Sequence, residues 1–99
     1  MRYVDAQYVN MRQARLKEVV LDGGDFSHAD LTNAVMERVS AEKTNFEKAT
    51  LESTKLEYAN LREAILNEVK AKGANLTEAD LREAQLQLAN LSNTIMNRV

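Results

Sequence analysis

The 99-residue chain carries 13 basic and 15 acidic side chains, one His, and no Cys, Pro or Trp, for a formal net charge of −2. That balance excludes a polybasic nucleic-acid binder or membrane anchor, and the missing Cys removes disulfide and thiolate-metal chemistry. No run approaches the roughly 18 apolar residues needed to span a bilayer, and Met1-Arg2-Tyr3-Val4-Asp5 opens no apolar core of a signal peptide, so the expectation is one cytoplasmic domain, residues 1–99, without membrane insertion.

Read along the chain, one pattern runs from the first residue to the last. Every fifth residue is apolar: Met1, Ala6, Met11, Leu16, Leu21, Phe26, Leu31, Met36, Ala41, Phe46, Leu51, Leu56, Leu61, Leu66, Ala71, Leu76, Leu81, Leu86, Leu91 and Met96. Two residues before each stands a small or β-branched one, from Val4, Val9 and Ala14 through Gly24 and Thr44 to Thr94 and Val99. The three remaining positions of each five are mostly polar. An α-helix turns about 100° per residue, so a five-residue step would scatter the large apolar column around the cylinder. A plain strand would send alternate members to opposite faces. The period instead demands a backbone in which five residues make one side and one corner, with a large and a small residue pointing inward on each side.

Ala29-Asp30-Leu31-Thr32-Asn33, Ala59-Asn60-Leu61-Arg62-Glu63, Ala74-Asn75-Leu76-Thr77-Glu78, Ala79-Asp80-Leu81-Arg82-Glu83 and Ala89-Asn90-Leu91-Ser92-Asn93 resemble the A(D/N)LXX motif of pentapeptide-repeat proteins. The resemblance covers the whole chain. It implies an all-β fold, a right-handed quadrilateral β-helix with four pentapeptides per coil, so about five coils of 20 residues and a rod about 24 Å long at strand spacing. Departures are local. Only Gly23 and Gly73 supply the Gly often found at the fifth position, and Val20, Val35, Lys55, Ile65, Lys70 and Ile95 replace the usual Asp or Asn.

Residues 20 apart should then stack. The expected core is Phe26, Phe46, Leu31, Leu51, Leu56, Leu61, Leu66, Leu76, Leu81 and Leu86, with the two Phe rings on consecutive rungs of one ladder. Ala41 and Ala71 stand where Leu is usual; Phe46 fills space beside Ala41, and Ala71 has no such compensation. On the outside, Lys43 falls beneath Glu63 and Lys48 beneath Glu68, pairs worth a few tenths of a kcal/mol each. Near-copies recur every 30 residues at Val35–Val39, Ile65–Val69 and Ile95–Val99, a trace of duplication.

Little in the sequence points to catalysis. His28, the only His, sits at an outward position beside poor metal partners, and Gly23-Gly24 reads as a turn or bulge with no phosphate-loop context. Neither a catalytic residue, a metal site nor a cofactor is expected. Some members of the resembled family imitate duplex DNA and bind type II topoisomerases such as DNA gyrase. Here Glu42, Glu47, Glu52 and Glu57 form a belt around one coil, while columns such as Arg2, Asp22, Glu42, Arg62, Arg82 mix signs along the rod. The leading expectation is therefore a non-enzymatic, rigid scaffold binding a protein partner of unknown identity. A topoisomerase-directed DNA mimic and an isolated or engineered repeat segment are the alternatives. Because the pattern leaves no residues for a polar cap, self-association end to end, with a homodimer through the terminal coil at Ile95, Met96 and Val99, is also expected.

Overall fold

The computed structural model describes residues 3–98; Met1, Arg2 and Val99 lie outside the described residues. Backbone pairing is uniform. Every parallel bridge joins a residue to the one 20 further on, from Asp5–Asp25 and Asn10–Asp30 to Lys70–Asn90 and Asn75–Ile95. The chain thus winds as stacked four-sided coils: coil 1 (3–20), coil 2 (21–40), coil 3 (41–60), coil 4 (61–80) and coil 5 (81–98). The principal extents are 30 × 25 × 18 Å.

One pentapeptide of coil 3 shows how the backbone is satisfied. The Ala41 N–H donates to the Asn60 carbonyl (2.8 Å) and the Lys43 N–H to the Arg62 carbonyl (2.9 Å), while the Asn45 N–H donates back to Gly24 (2.9 Å). The Thr44 N–H closes a four-residue turn on the Ala41 carbonyl (3.2 Å). Each side therefore pairs at a single bridging residue before the chain turns again, and the structure carries isolated bridges in place of long strands.

The third residue of every described turn lies at positive φ. It does so at 55° to 63° for side-chain-bearing residues, from Tyr3 to Arg98, and at 69° and 74° for Gly23 and Gly73. With φ positive only at that residue, the turns follow the type II pattern, which Gly and Asn adopt most easily. Gly73, Asn33 and Asn93 suit it. Gly24 serves another purpose: a Cβ there would come within 2.9 Å of the Phe26 ring. The pair Gly23-Gly24 is a turn without a bulge, since the bridges of Asp25 to Asp5 and Asn45 keep the register.

Inside, the large residues form four ladders. Phe26 and Phe46 stack with centroids 5.8 Å apart and planes 26° from parallel. Leu31, Leu51, Leu56, Leu61, Leu66 and Leu76 are all buried. Leu81 and Leu86 depart from the expected core: both are only half-buried, because they belong to coil 5 and no described coil lies over them. Thr44 and Thr54, buried in the small column, donate their hydroxyls to the Leu21 (2.9 Å) and Leu31 (3.1 Å) carbonyls of the coil below, so neither is left unpaired.

Candidate functional site

With the interior closed by side chains, the chemistry of the rod lies on its outer columns, and what holds those columns in place is local. In each turn the second residue's N–H has no backbone acceptor in the pairing scheme. Wherever Asp or Asn bridges two residues earlier, its carboxylate or amide oxygen accepts that N–H: Ser27 to Asp25 (3.0 Å), Glu47 to Asn45 (2.9 Å), Arg62 to Asn60 (3.1 Å) and Thr77 to Asn75 (3.0 Å). This is an Asx turn, and it is the physical reason for the second letter of the A(D/N)LXX motif. Ser27, Thr32 and Thr77 add their hydroxyls to the same oxygen. Where the bridging residue is Ser40 or Gln85, a neighbour one coil down takes over. Asp22 accepts from the Glu42 N–H (3.0 Å) and the Ser40 hydroxyl (2.7 Å), and Asn67 accepts from the Gln87 N–H (2.9 Å). Val20, Val35, Ile65 and Ile95 can supply no such acceptor.

Several outer side chains are arranged in pairs along the rod. Tyr8 stacks on His28 with centroids 4.5 Å apart and planes within 8°. Arg38 lies over the Tyr58 ring at 4.8 Å, a cation–π contact. Tyr3 leans across Gly23, where a Cβ would meet its ring at 2.6 Å. His28 is exposed, as its outward position requires. Among the described residues no group of His, Asp and Glu is placed to hold a metal ion.

The charged pairs differ from the sequence expectation. Arg12 meets Asp30 at 3.5 Å, Arg62 meets Glu42 at 4.0 Å and Arg82 meets Asp80 at 2.7 Å. Lys43–Glu63 and Lys48–Glu68 do not close to ion-pair distance among the described residues. All four sit exposed at turn positions, where hydration and the entropy of two long side chains offset the attraction. Asp80 gains a forked contact from the Arg82 guanidinium, which holds its carboxyl down at about 2. The Thr32 hydroxyl and N–H, with Arg12, also lower Asp30. One carboxylate oxygen, Glu57 Oε1, is shielded without a hydrogen-bond partner; nothing in the structure explains it.

Of the residues singled out for the interior, Phe26, Leu31, Phe46, Leu51, Leu56, Leu61, Leu66 and Leu76 fall together in one buried core and Leu81 and Leu86 pack against it half-buried, whereas Ile95 and Met96 stand on coil 5, 47% and 37% exposed. Val99 lies outside the described residues. Sequence reasoning missed the Asx bonds, although their signal, Asp or Asn two residues before an outward N–H, was present throughout. It also missed the left-handed turn residue, which the column of Gly23, Asn33, Gly73 and Asn93 hinted at.

This geometry agrees with what known proteins show. The chain matches the pentapeptide repeats family in 8 copies over residues 1–38, 29–67, 44–82 and 59–98. The chain belongs to the pentapeptide repeat family, and its fold is that family's right-handed quadrilateral β-helix. A pentapeptide repeat protein of the Arabidopsis thaliana thylakoid lumen superposes with a TM-score of 0.88 at 18% identity, over 91% of this chain and 63% of that one. The chain therefore spans less than two thirds of that relative. A pentapeptide repeat protein from Nostoc Pcc 7120 superposes with a TM-score of 0.63 at 25% identity, over 93% of this chain and 84% of that one. No curated protein matches the chain. Among the described residues no helix is long and apolar enough to cross a membrane.

Proposed function

We propose that residues 1–99 act as one unit, a non-enzymatic cytoplasmic scaffold that engages a protein partner through its outer surface. The observation that carries the reading is preorganisation. Outer side chains are held at fixed spacing by a bonded turn, and pairs such as Tyr8 on His28 and Arg38 on Tyr58 are already assembled. Tyr and Arg are the residue types that most often anchor interfaces, and groups that are rigid before binding lose less entropy on binding. The topoisomerase-directed reading has less support, because the column Asp22, Glu42, Arg62, Arg82 mixes acidic and basic residues along the rod and two of its members pair with each other. Self-association through the terminal coil completes the reading. It is supported by the exposure of Ile95 and Met96 on coil 5.

Coil 3 and its continuation offer one outward position per side: Glu47, Glu52, Glu57 and Arg62. A photo-crosslinker placed at each in turn, in cells, tests the scaffold reading. Adducts with the same protein concentrated at one or two of these positions are expected. Adducts spread evenly over all four, or none, would contradict it. A gyrase supercoiling assay with titrated protein separates the alternative, for which inhibition or protection is the signature.

A further inference from the structure

Lys55 and Lys70 stand where the repeat usually carries Asp or Asn, and the exchange changes the surface around them. In coils 2 to 4 they are the only bridging residues that are exposed, and Lys72 is the only exposed residue at the second turn position. All three flank one corner in the middle of the rod. Lys70 lies on the face before the turn at Lys72 and Gly73, and Lys55 on the face after it, one coil down beneath Asn75. None of the three pairs with a carboxylate among the described residues, where the ion pairs are those of Arg12, Arg62 and Arg82. Glu52, beneath Lys72, does not close to ion-pair distance. The other neighbours are small and neutral: Thr50 and Asn90 beside Lys70, and Ser53 beneath Gly73. The backbone at this corner also lacks a partner. Asn60 and Asn75 accept the N–H of Arg62 (3.1 Å) and Thr77 (3.0 Å) in the same coil. The Lys70 ammonium has donors only. Nor does Glu52 take over, as Asp22 and Asn67 do for Glu42 and Gln87. The Lys72 N–H is therefore left at the surface with no acceptor among the described residues.

From these observations we infer that the corner of Lys55, Lys70 and Lys72 binds an acidic segment of a partner protein. An incoming Asp or Glu carboxylate supplies to the Lys72 N–H the oxygen that Asp or Asn supplies in other turns, and the lysines neutralise its charge. This rests on the scaffold reading above and names the face and the chemistry of the partner. A hydrogen bond to an ionised carboxylate is stronger than one between neutral groups, so the vacated acceptor position favours an acid over an amide. Other turns without Asp or Asn do not make such a site. Val20, Val35 and Ile65 bring no charge, the turn after Lys55 carries Glu57, and at Arg15 and Lys17 the next residue is Glu18 and Glu37 lies above. A nucleic-acid strand fits less well. The neighbouring corners are net negative, with Glu47 and Glu68 against Lys48 on one side, and Glu18, Glu37, Glu57 and Glu78 against Lys17, Arg38 and Arg98 on the other. They repel a long polyanion, whereas a short acidic segment lies between them.

Titration of the isotope-labelled 99-residue chain with a hexaglutamate peptide, followed by amide NMR at low ionic strength where screening is weakest, tests the inference. A saturable downfield shift is expected, largest at the Lys72 N–H. Two exposed-site variants, verified to keep their fold by circular dichroism, separate the hydrogen bond from the charge. Lys70→Asn returns an acceptor to the turn as well as removing a charge; it should weaken binding about tenfold and abolish the Lys72 shift. Lys70→Gln removes the charge alone, since Gln in this position leaves the turn open, as at Gln85; it should weaken binding about threefold. No saturable shift, the largest shifts on another face, or equal weakening by the two variants would overturn the site. A hexathymidylate strand that binds as tightly would overturn the choice of an acidic protein segment. In the cellular crosslinking above, adducts concentrated at Glu52, on this corner, are expected. Adducts concentrated at another position would overturn the inference and leave the scaffold reading standing. Peptide binding at Lys72 with no adduct at any position would overturn the scaffold reading alone.

Discussion

Ala71 offers the sharpest test of how the core is packed. It is 2% exposed and interrupts a ladder otherwise made of Met11, Leu31, Leu51 and Leu91. A small apolar cavity of about 10 Å³ lies beside it, lined also by Leu51, Leu56, Leu61, Leu66, Leu76 and Leu91. That is barely one water in size, and its lining is entirely apolar, so it stays dry. Ala71→Leu adds three carbons, a gross gain of about 2.4 kcal/mol at roughly 0.8 kcal/mol per buried methylene. The cavity does not hold all three without displacement, and moderate overpacking costs at least about 1 kcal/mol. The expected net is a stabilisation of about 1 kcal/mol, a rise in Tm of roughly 4–8 °C for a chain of this size. Ala41→Leu is the control. Ala41 is also fully buried and occupies the same kind of position, but it does not line the cavity and Phe46 occupies its coil. There the same carbons should destabilise by about 1–3 kcal/mol. Urea denaturation of both variants against the parent reads the difference. Equal effects, or destabilisation by Ala71→Leu with tolerance of Ala41→Leu, would refute the packing argument.

Other expectations follow from the turns and the charges. Asn60→Ala removes the acceptor of the Arg62 N–H and should cost about 1 kcal/mol; Asn60→Asp, which keeps an oxygen there, should restore most of it in the same urea assay. Gly73→Ala introduces a Cβ whose nearest contact, the Ser53 hydroxyl oxygen, is an ordinary 3.5 Å away. Its expected cost of about 1 kcal/mol thus comes from the left-handed backbone alone, and a neutral result by thermal melting would count against strain in the turns. Asp30 and Asp80 have carboxyls held below the usual value of 3.8 by Thr32 and Arg82. Depressed acids contribute stability above their unfolded pKa and lose it as pH falls through the folded one. Melting temperature should therefore be flat from neutrality to about pH 4.5 and decline towards pH 2. Carbon-detected NMR titration should place Asp80 near 2, and an unshifted Asp80 would remove that contribution.

The interior was legible in the sequence because burial and periodicity coincide there. Phe26 and Phe46 sit 20 apart in an unbroken apolar column, and a fixed coil length is enough to bring their rings together. Leu81 and Leu86 show where that logic stops: the period assigns a residue to the inside, but its burial also depends on a coil above it. The outer surface was less legible, since long exposed side chains answer to solvent as much as to register. Lys43 and Glu63 have the spacing for a pair and do not form one, whereas Arg62 and Glu42, at the same spacing, do. The stacking of Tyr8 on His28 depends on turn geometry that repeats in every pentapeptide but is carried mostly by residues other than Gly, so its sequence signal is faint.

The claim on which everything else depends is that a five-residue register divides the chain into inside and outside, leaving function to the latter. Adjacent residues Leu61 and Arg62 test it in one urea experiment. Leu61 is 1% exposed, and Leu61→Lys would place a charge with no partner among Leu side chains, at a cost of several kcal/mol, most of the stability of a small domain. Arg62→Glu loses an outer contact with Glu42 at 4.0 Å and should shift stability by no more than about 1 kcal/mol. The account predicts loss of the cooperative transition for Leu61→Lys and a near-parental curve for Arg62→Glu. Matching curves for the two would contradict it.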